Sequence, residues 1–282
     1  MHALAPITPM TAVSLFDGIA RWTAPNPGFM TGEGTNAYLI GRERLTLIDP
    51  GPVLEENLSA LLNFLDDRLE RILVTHTHKD HCPMAMVLAD KTQVPVIGPL
   101  SPSTSENDPN FIPDEVLVDR RELDCDGITV EAIHTPGHAS NHFCFWIAQH
   151  GVLLTGDHVM NGSTVVIAAP DGDMLDYLNS LRAMLTLPLQ AIAPGHGAVI
   201  DNPKENIAGI IAHRLQREAK VIDALLRCQP CTLDELLPVV YDDVDPNLLP
   251  IARYSLAAHV DKLKREGRVN RSEVLALIPE TA

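Results

Sequence analysis

Thr75-His76-Thr77-His78-Lys79-Asp80-His81 packs three histidines and an aspartate into one short run. Neutral imidazole is the commonest zinc ligand, and a carboxylate can complete a ligand set. His76 and His78 alternate, so they converge from one side of an extended turn. Asp80 and His81 follow too closely to join them without strain and face a second ion. The bland alternative is a His-rich surface loop, which composition rarely produces at this density.

Three more residues share one context. His138 follows Pro136-Gly137, Asp157 follows Thr155-Gly156 and His196 follows Pro194-Gly195. Each is expected on a loop just after an apolar strand, where glycine lets the backbone turn tightly. A consistent assignment gives one ion to His76, His78 and His138 and a second to Asp80, His81 and His196. Asp157 bridges, as a carboxylate does readily and a neutral imidazole does not. Asp80, Asp157 and a bridging hydroxide offset part of the charge of two divalent ions. The remainder suits an anionic transition state, which makes Asp80 and Asp157 the catalytic candidates. The donors suit zinc and also accept iron or manganese.

The elements that must position these residues are legible around them. Arg71-Ile72-Leu73-Val74-Thr75 reads as a buried strand before the cluster, and Cys82 to Ala89 as a helix with Pro83 in its first turn. Val13–Phe16 suggests a strand, and Ala37–Ile40 with Leu45–Ile48 a hairpin. Leu54, Leu58, Leu61, Leu62 and Leu65 fall at helical spacing. Strands are expected at Val94–Ile97, Ile128–His134, Asn141–Ala148, Val152–Thr155 and Ala191–Ala193. Met174, Leu178, Leu181 and Leu185 mark a helix capped by Asp171 or Asp173. Pro99 to Pro113 reads as a long surface loop. The sum is a mixed, layered α/β domain. A long helix from Pro203 to about Leu226 follows, then helices over Leu233–Val240 and about Leu249–Glu266. A small hairpin over 267–278 completes a winged-helix-like unit. The boundary is placed at 204/205, giving a catalytic part (1–204) and an appended part (205–282).

The 282 residues carry a net charge of −16, with 4% aromatics. That balance is a poor generic partner for nucleic acid or anionic membranes, and it offers few stacking platforms. No stretch reaches the length of a membrane span, and the N-terminus lacks a basic leader. The five cysteines are odd in number and scattered, which argues against a disulfide framework. Cys228-Gln229-Pro230-Cys231 has redox-pair spacing but stands alone and is read as incidental. The expectation is a cytoplasmic protein.

His76-x-His78-x-Asp80-His81, with His138, Asp157 and His196 in their contexts, resembles the metallo-β-lactamase-fold hydrolases over roughly residues 10 to 200. The likeness is to the glyoxalase-II-like branch and, within it, the β-lactamase-like protein 2 subgroup. Thr35-Asn36-Ala37-Tyr38-Leu39-Ile40, Thr135-Pro136-Gly137-His138, Asp176-Tyr177-Leu178-Asn179-Ser180-Leu181 and Ala212-His213-Arg214 carry it. The resemblance implies a four-layer αβ/βα sandwich with two metal ions, usually zinc, at one edge. It implies hydrolysis by a metal-bound hydroxide and a supporting role for Asp49 behind the ligands. Asp157 stands where true class B1 β-lactamases have cysteine, so antibiotic hydrolysis is not implied. No nuclease-type domain is inserted between Asp157 and His196.

The expected substrate is a small ester, thioester or lactone. RNA cleavage is the alternative, suggested by the subgroup and by the basic run Lys262-Leu263-Lys264-Arg265 with Arg268 and Arg271. A non-enzymatic metal or ligand sensor touching DNA is the third reading. His213, Asn141 and Thr164 are the substrate-binding candidates. His134, His142 and His158 are further residues expected near the rim.

Overall fold

The chain opens with an antiparallel meander of β1 (Val13–Phe16), β2 (Ile19–Thr23), β3 (Asn36–Ile40) and β4 (Leu45–Ile48). Every residue of β3 and β4 is buried, as expected of strands covered on both faces. Helix α1 (Glu55–Leu65) follows, with Leu58, Leu61 and Leu65 inward and Glu55 and Glu56 in its first turn, where the helix dipole favours acids. It leads to β5 (Leu69–Leu73), α2 (Pro83–Thr92), β6 (Val96–Gly98) and β7 (Glu115–Val116), and the strands from β4 onward are parallel. These seven strands lie in chain order in one sheet. The computed structural model describes residues 5–162, 164–228, 231–269 and 274–275.

A second sheet holds β8 (Arg121–Cys125), β9 (Ile128–His134), β10 (Phe143–Ile147), β11 (Val152–Gly156) and, after α3 (Met174–Met184), β12 (Ala191–Pro194). Asp173 caps α3, accepting from the Leu175 and Asp176 amides at 2.9 Å. Tyr38, Ile48, Val130, Phe145 and Leu154 pack between the two sheets. Leu61, Met84 and Leu88 cover the outer face of the first sheet, and Leu178 and Ile207 that of the second. The result is the expected four-layer αβ/βα sandwich.

Helix α4 (Pro203–Arg227) serves two cores. Ile207 and Ile210 belong to the sandwich, while Val221, Ala224 and Leu225 pack with α5 (Leu233–Val240) and α6 (Leu249–Arg265). The hairpin expected over 267–278 lies mostly outside the described residues. Val274–Leu275 pairs in parallel with Cys231–Thr232, across the whole helical pair. The rest of the 270–278 stretch lies outside the described residues.

Of the strands that escape the sequence reading, β2 and β8 show why. In β2 the buried Arg21 breaks the apolar pattern, because its guanidinium donates to the Ala5 and Pro6 carbonyls at 3.2 and 2.7 Å. In β8 only Leu123 and Cys125 face inward, among charged neighbours. The strand before the motif ends at Leu73, two residues earlier than expected, and frees Val74 and Thr75 to enter the loop. No helix among the described residues is long and apolar enough to cross a membrane.

Candidate metal centre

The loops leaving β5, β9, β11 and β12 meet at one rim of the sandwich. His76, His78 and His138 form one group of facing donor atoms, and Asp80, His81, Asp157 and His196 form another. Asp157 lies between them. Its Oδ1 is 3.3 Å from Nε2 of both His81 and His196, and its Oδ2 is 3.8 Å from His138 Nε2. Asp80 Oδ2 is 3.2 Å from His196 Nε2.

Hydrogen bonds on the far side of the rings fix which nitrogen faces inward. Thr75 Oγ1 gives its proton to Asp49 at 2.6 Å, so at 2.9 Å it accepts from His76 Nδ1. Carbonyls can only accept. Val166 O lies 2.9 Å from His138 Nδ1 and Gly34 O 3.1 Å from His196 Nδ1. In the neutral form of all three rings Nε2 therefore carries a lone pair pointing into the cluster. His81 Nδ1 sits 3.0 Å from Asp49 Oδ2, which orients that ring likewise. Asp49 also accepts from the Thr75 amide at 2.8 Å, so one carboxylate braces the motif from behind. His78 is turned the other way. Its Nδ1 is 3.0 Å from His138 Nε2, and its Nε2 faces Asp171 at 3.9 Å.

The residues fit a metal. Nε2 of His76, His81 and His196 and Oδ1 of Asp157 are buried without a hydrogen-bond partner. Leaving such groups unpaired in a protein interior is costly. His78 Nδ1 and His138 Nε2, 3.0 Å apart, converge on the same space. Burial pushes His76 well below the ordinary histidine range and His138 down to about 4, so both are neutral donors. Burial also opposes charge on His81 and His196, but Asp157 prevails, raising the first well above its usual value and the second to about 10. That half of the cluster demands positive charge.

Glycine is required here for two different reasons. Gly156 sits at φ +45°, and a Cβ there would meet His142 and Thr75 at 2.8 Å. Gly195 is needed for space alone. Its Cβ would come within 2.6 Å of Asp157 Oδ1 and 2.8 Å of His81.

The other candidates lie around this centre. Asn141 donates to Thr77 Oγ1 at 2.8 Å and to the Leu100 carbonyl at 3.0 Å, tying the motif to the 99–113 loop. His142 and His158 are buried behind His76, and His158 packs on Tyr177. His134 is exposed, with Nε2 3.1 Å from the Ser140 carbonyl. Thr164 and His213 line a cavity of about 320 Å³ where sandwich and appended unit meet. Asp171 is the residue that sequence reasoning missed, treating it only as a cap. It faces His78 and is held by Ser140 and by Asn107 at 2.8 Å. The basic run is engaged within the chain. Lys262 pairs with Glu218 and Glu266, Arg265 with Asp173, and Arg268 with Glu218. Arg271 lies outside the described residues.

Residues 30–196 match the model of the metallo-beta-lactamase superfamily, and residues 232–274 match that of the beta-lactamase associated winged helix domain. A beta-lactamase-like protein 2 homolog of Drosophila melanogaster is 31% identical, with 92% of each chain covered. Thioesterase pkgB of Emericella nidulans is 32% identical over 80% of this chain and 64% of its own length. A beta-lactamase domain protein from Burkholderia ambifaria has the same fold. Its crystal structure superposes with a TM-score of 0.80 at 21% identity, covering 94% of this chain and 91% of that one.

Proposed function

The chain belongs to the metallo-β-lactamase superfamily and carries the associated winged-helix domain, and from that premise we propose that it hydrolyses a small ester, thioester or lactone. Two divalent ions, zinc first and iron or manganese in its place, complete the site. His76, His78 and His138 hold one, and Asp80, His81 and His196 the other. Asp157 serves both. The likeness to a named thioesterase supports the acyl chemistry. The observation that supports the two-ion reading most is Asp157 itself, whose two oxygens face opposite halves of a cluster of unpartnered donors. Residues 1–204 carry the chemistry in this proposal, and 205–282 form the appended unit.

When bound, such ions lower the pKa of water from about 15.7 toward 7 and offset charge developing on a carbonyl oxygen. The chain supplies the rest. Asp49, Thr75 and the Gly34 and Val166 carbonyls hold the imidazoles in one tautomer, so no reorganisation is needed during reaction. Asp80 is the most accessible of the seven, its side chain 33% exposed against 10% for Asp157. Its Oδ2 is the place for a proton in transit from the attacking water to the leaving group. Water gives its oxygen to the acyl carbon, the acyl–oxygen or acyl–sulfur bond breaks, and the alcohol or thiol leaves with a proton.

The test is a turnover screen of metal-replete protein on an ester, a thioester and a lactone against bis-nitrophenyl phosphate and single-stranded RNA. Acyl substrates should turn over, and His76→Ala or Asp157→Ala should remove activity and bound metal together. Turnover of the phosphodiesters alone would overturn the reading.

A further inference from the structure

The cavity at the junction has two unlike walls. One comes from the sandwich. Phe29, Met30, Met160 and Val166 lie on the two loops whose carbonyls, Gly34 O and Val166 O, also fix His196 and His138. The other comes from the winged-helix unit, through Tyr241, Leu248, Ile251 and Ala252. α4 closes the space with His213, Arg214 and Arg217.

The lining is mostly apolar, and no acid is among its described residues. Its cations are not open to solvent phosphates. Arg217 is 7% exposed, lies 2.7 Å from Asp243 and sits over the Tyr241 ring. Arg214 is 3% exposed, donates to the Val165 carbonyl and lies over Tyr177. His213 is exposed, and desolvation with these two arginines pushes it below the ordinary histidine range. Phe29 and Met30, by contrast, are 75% and 51% exposed, an unusual cost for large apolar side chains beside a cavity. A volume of about 320 Å³ lies at the lower end of small-molecule sites.

We propose that this junction cavity is the acyl subsite. The apolar acyl arm of the ester or thioester seats between the sandwich and the winged-helix unit while its carbonyl lies at the metal cluster. The winged-helix unit is then a wall of the substrate site, not a nucleic-acid reader. This rests on the hydrolase reading, and the experiment below separates the two.

Two readouts test it on the full, metal-replete chain. The first is kcat/KM for nitrophenyl esters from acetyl to octanoyl. It should rise about three- to fourfold per methylene until the cavity is full, placing octanoyl at least about 30-fold above acetyl. The second is calorimetric binding of decanoate, with the negative heat-capacity change of apolar burial. Ala252→Trp fills the cavity and should bring the octanoyl-to-acetyl ratio close to one and abolish decanoate binding. Phe29→Ala with Met30→Ala, at exposed positions, should lower the same ratio about tenfold without threatening the fold. A flat chain-length series with no decanoate binding would overturn the proposal. So would salt-dependent RNA binding that Ala252→Trp blocks. Decanoate binding sensitive to Ala252→Trp, with no ester or thioester hydrolysed, would uphold the cavity as an apolar-acid site and overturn the hydrolase reading.

Discussion

At the rim of the sandwich, Nε2 of His81 and of His196 lies 3.3 Å from Asp157, and neither nitrogen has a hydrogen-bond partner. In the appended unit, Lys262 Nζ lies 2.7 Å from Glu218 and 2.9 Å from Glu266, and Arg268 reaches Glu218 at 2.6 Å. Both regions bury charge. The charges of the second are paired by the chain itself, and those of the first are not. A buried polar group is tolerated when it is paired, so the unfinished set asks for a ligand and the finished one holds structure. The basic run of the appended unit looked like a nucleic-acid contact in the sequence because two of its acids, Glu218 and Asp173, are distant in the chain. Glu218 lies on α4 and Asp173 caps α3.

The contrast can be broken first at the paired side. Glu218→Ala leaves Lys262, which is 5% exposed, with Glu266 as its remaining acid. It should destabilise the chain by about 2–3 kcal/mol in denaturant titration. Turnover per metal-loaded folded molecule should hardly change, and a selective loss of kcat would contradict the division. At the unfinished side, Gly195→Ala drives a methyl into Asp157 and His81. A displacement of that size should cost on the order of 10²-fold in kcat/KM. Asp171→Asn removes the charge facing His78 and should lower metal affinity or activity by about 10- to 100-fold, read by competition with a chelator.

These three residues also mark how far the sequence could be read. The histidines and aspartates of the rim were legible because they cluster or follow a strand and a glycine, features local to the chain. The layering and both long helices were legible from apolar periodicity. Asp171 was not, because its partner His78 is 93 positions away and only the folded loops bring them together. The carbonyls of Gly34 and Val166 carry no side-chain signal at all. Gly195 was expected for its backbone freedom, whereas the structure requires it for space.

A smaller effect comes from His259, buried on α6 with both ring nitrogens unpartnered. Burial, with Arg214, Lys262, Arg217 and His213 nearby, pushes it down to about 3. The unfolded chain takes up a proton below about pH 6.5 that the folded chain refuses, so stability falls with pH below that point. From pH 7 to 5 the loss from this residue is about 2 kcal/mol, and His259→Leu should remove that slope. If its slope matches the parent's, His259 is not the source. The smallest effect is expected for Arg265→Glu, at a half-exposed ion pair with Asp173. Its single-stranded RNA affinity should stay within about twofold of the parent at every salt concentration. A steep, salt-dependent loss would revive the basic run as a contact surface.

The central claim is that the rim is finished by two ions. Metal-free protein should be titrated with Zn2+ while bound metal per chain and ester turnover are followed together. Two ions should bind, with turnover appearing as the second is taken up, and Asp157→Ala should fail to reach that state. Full turnover in chelator-treated protein, or full activity with a single bound ion, would contradict the account.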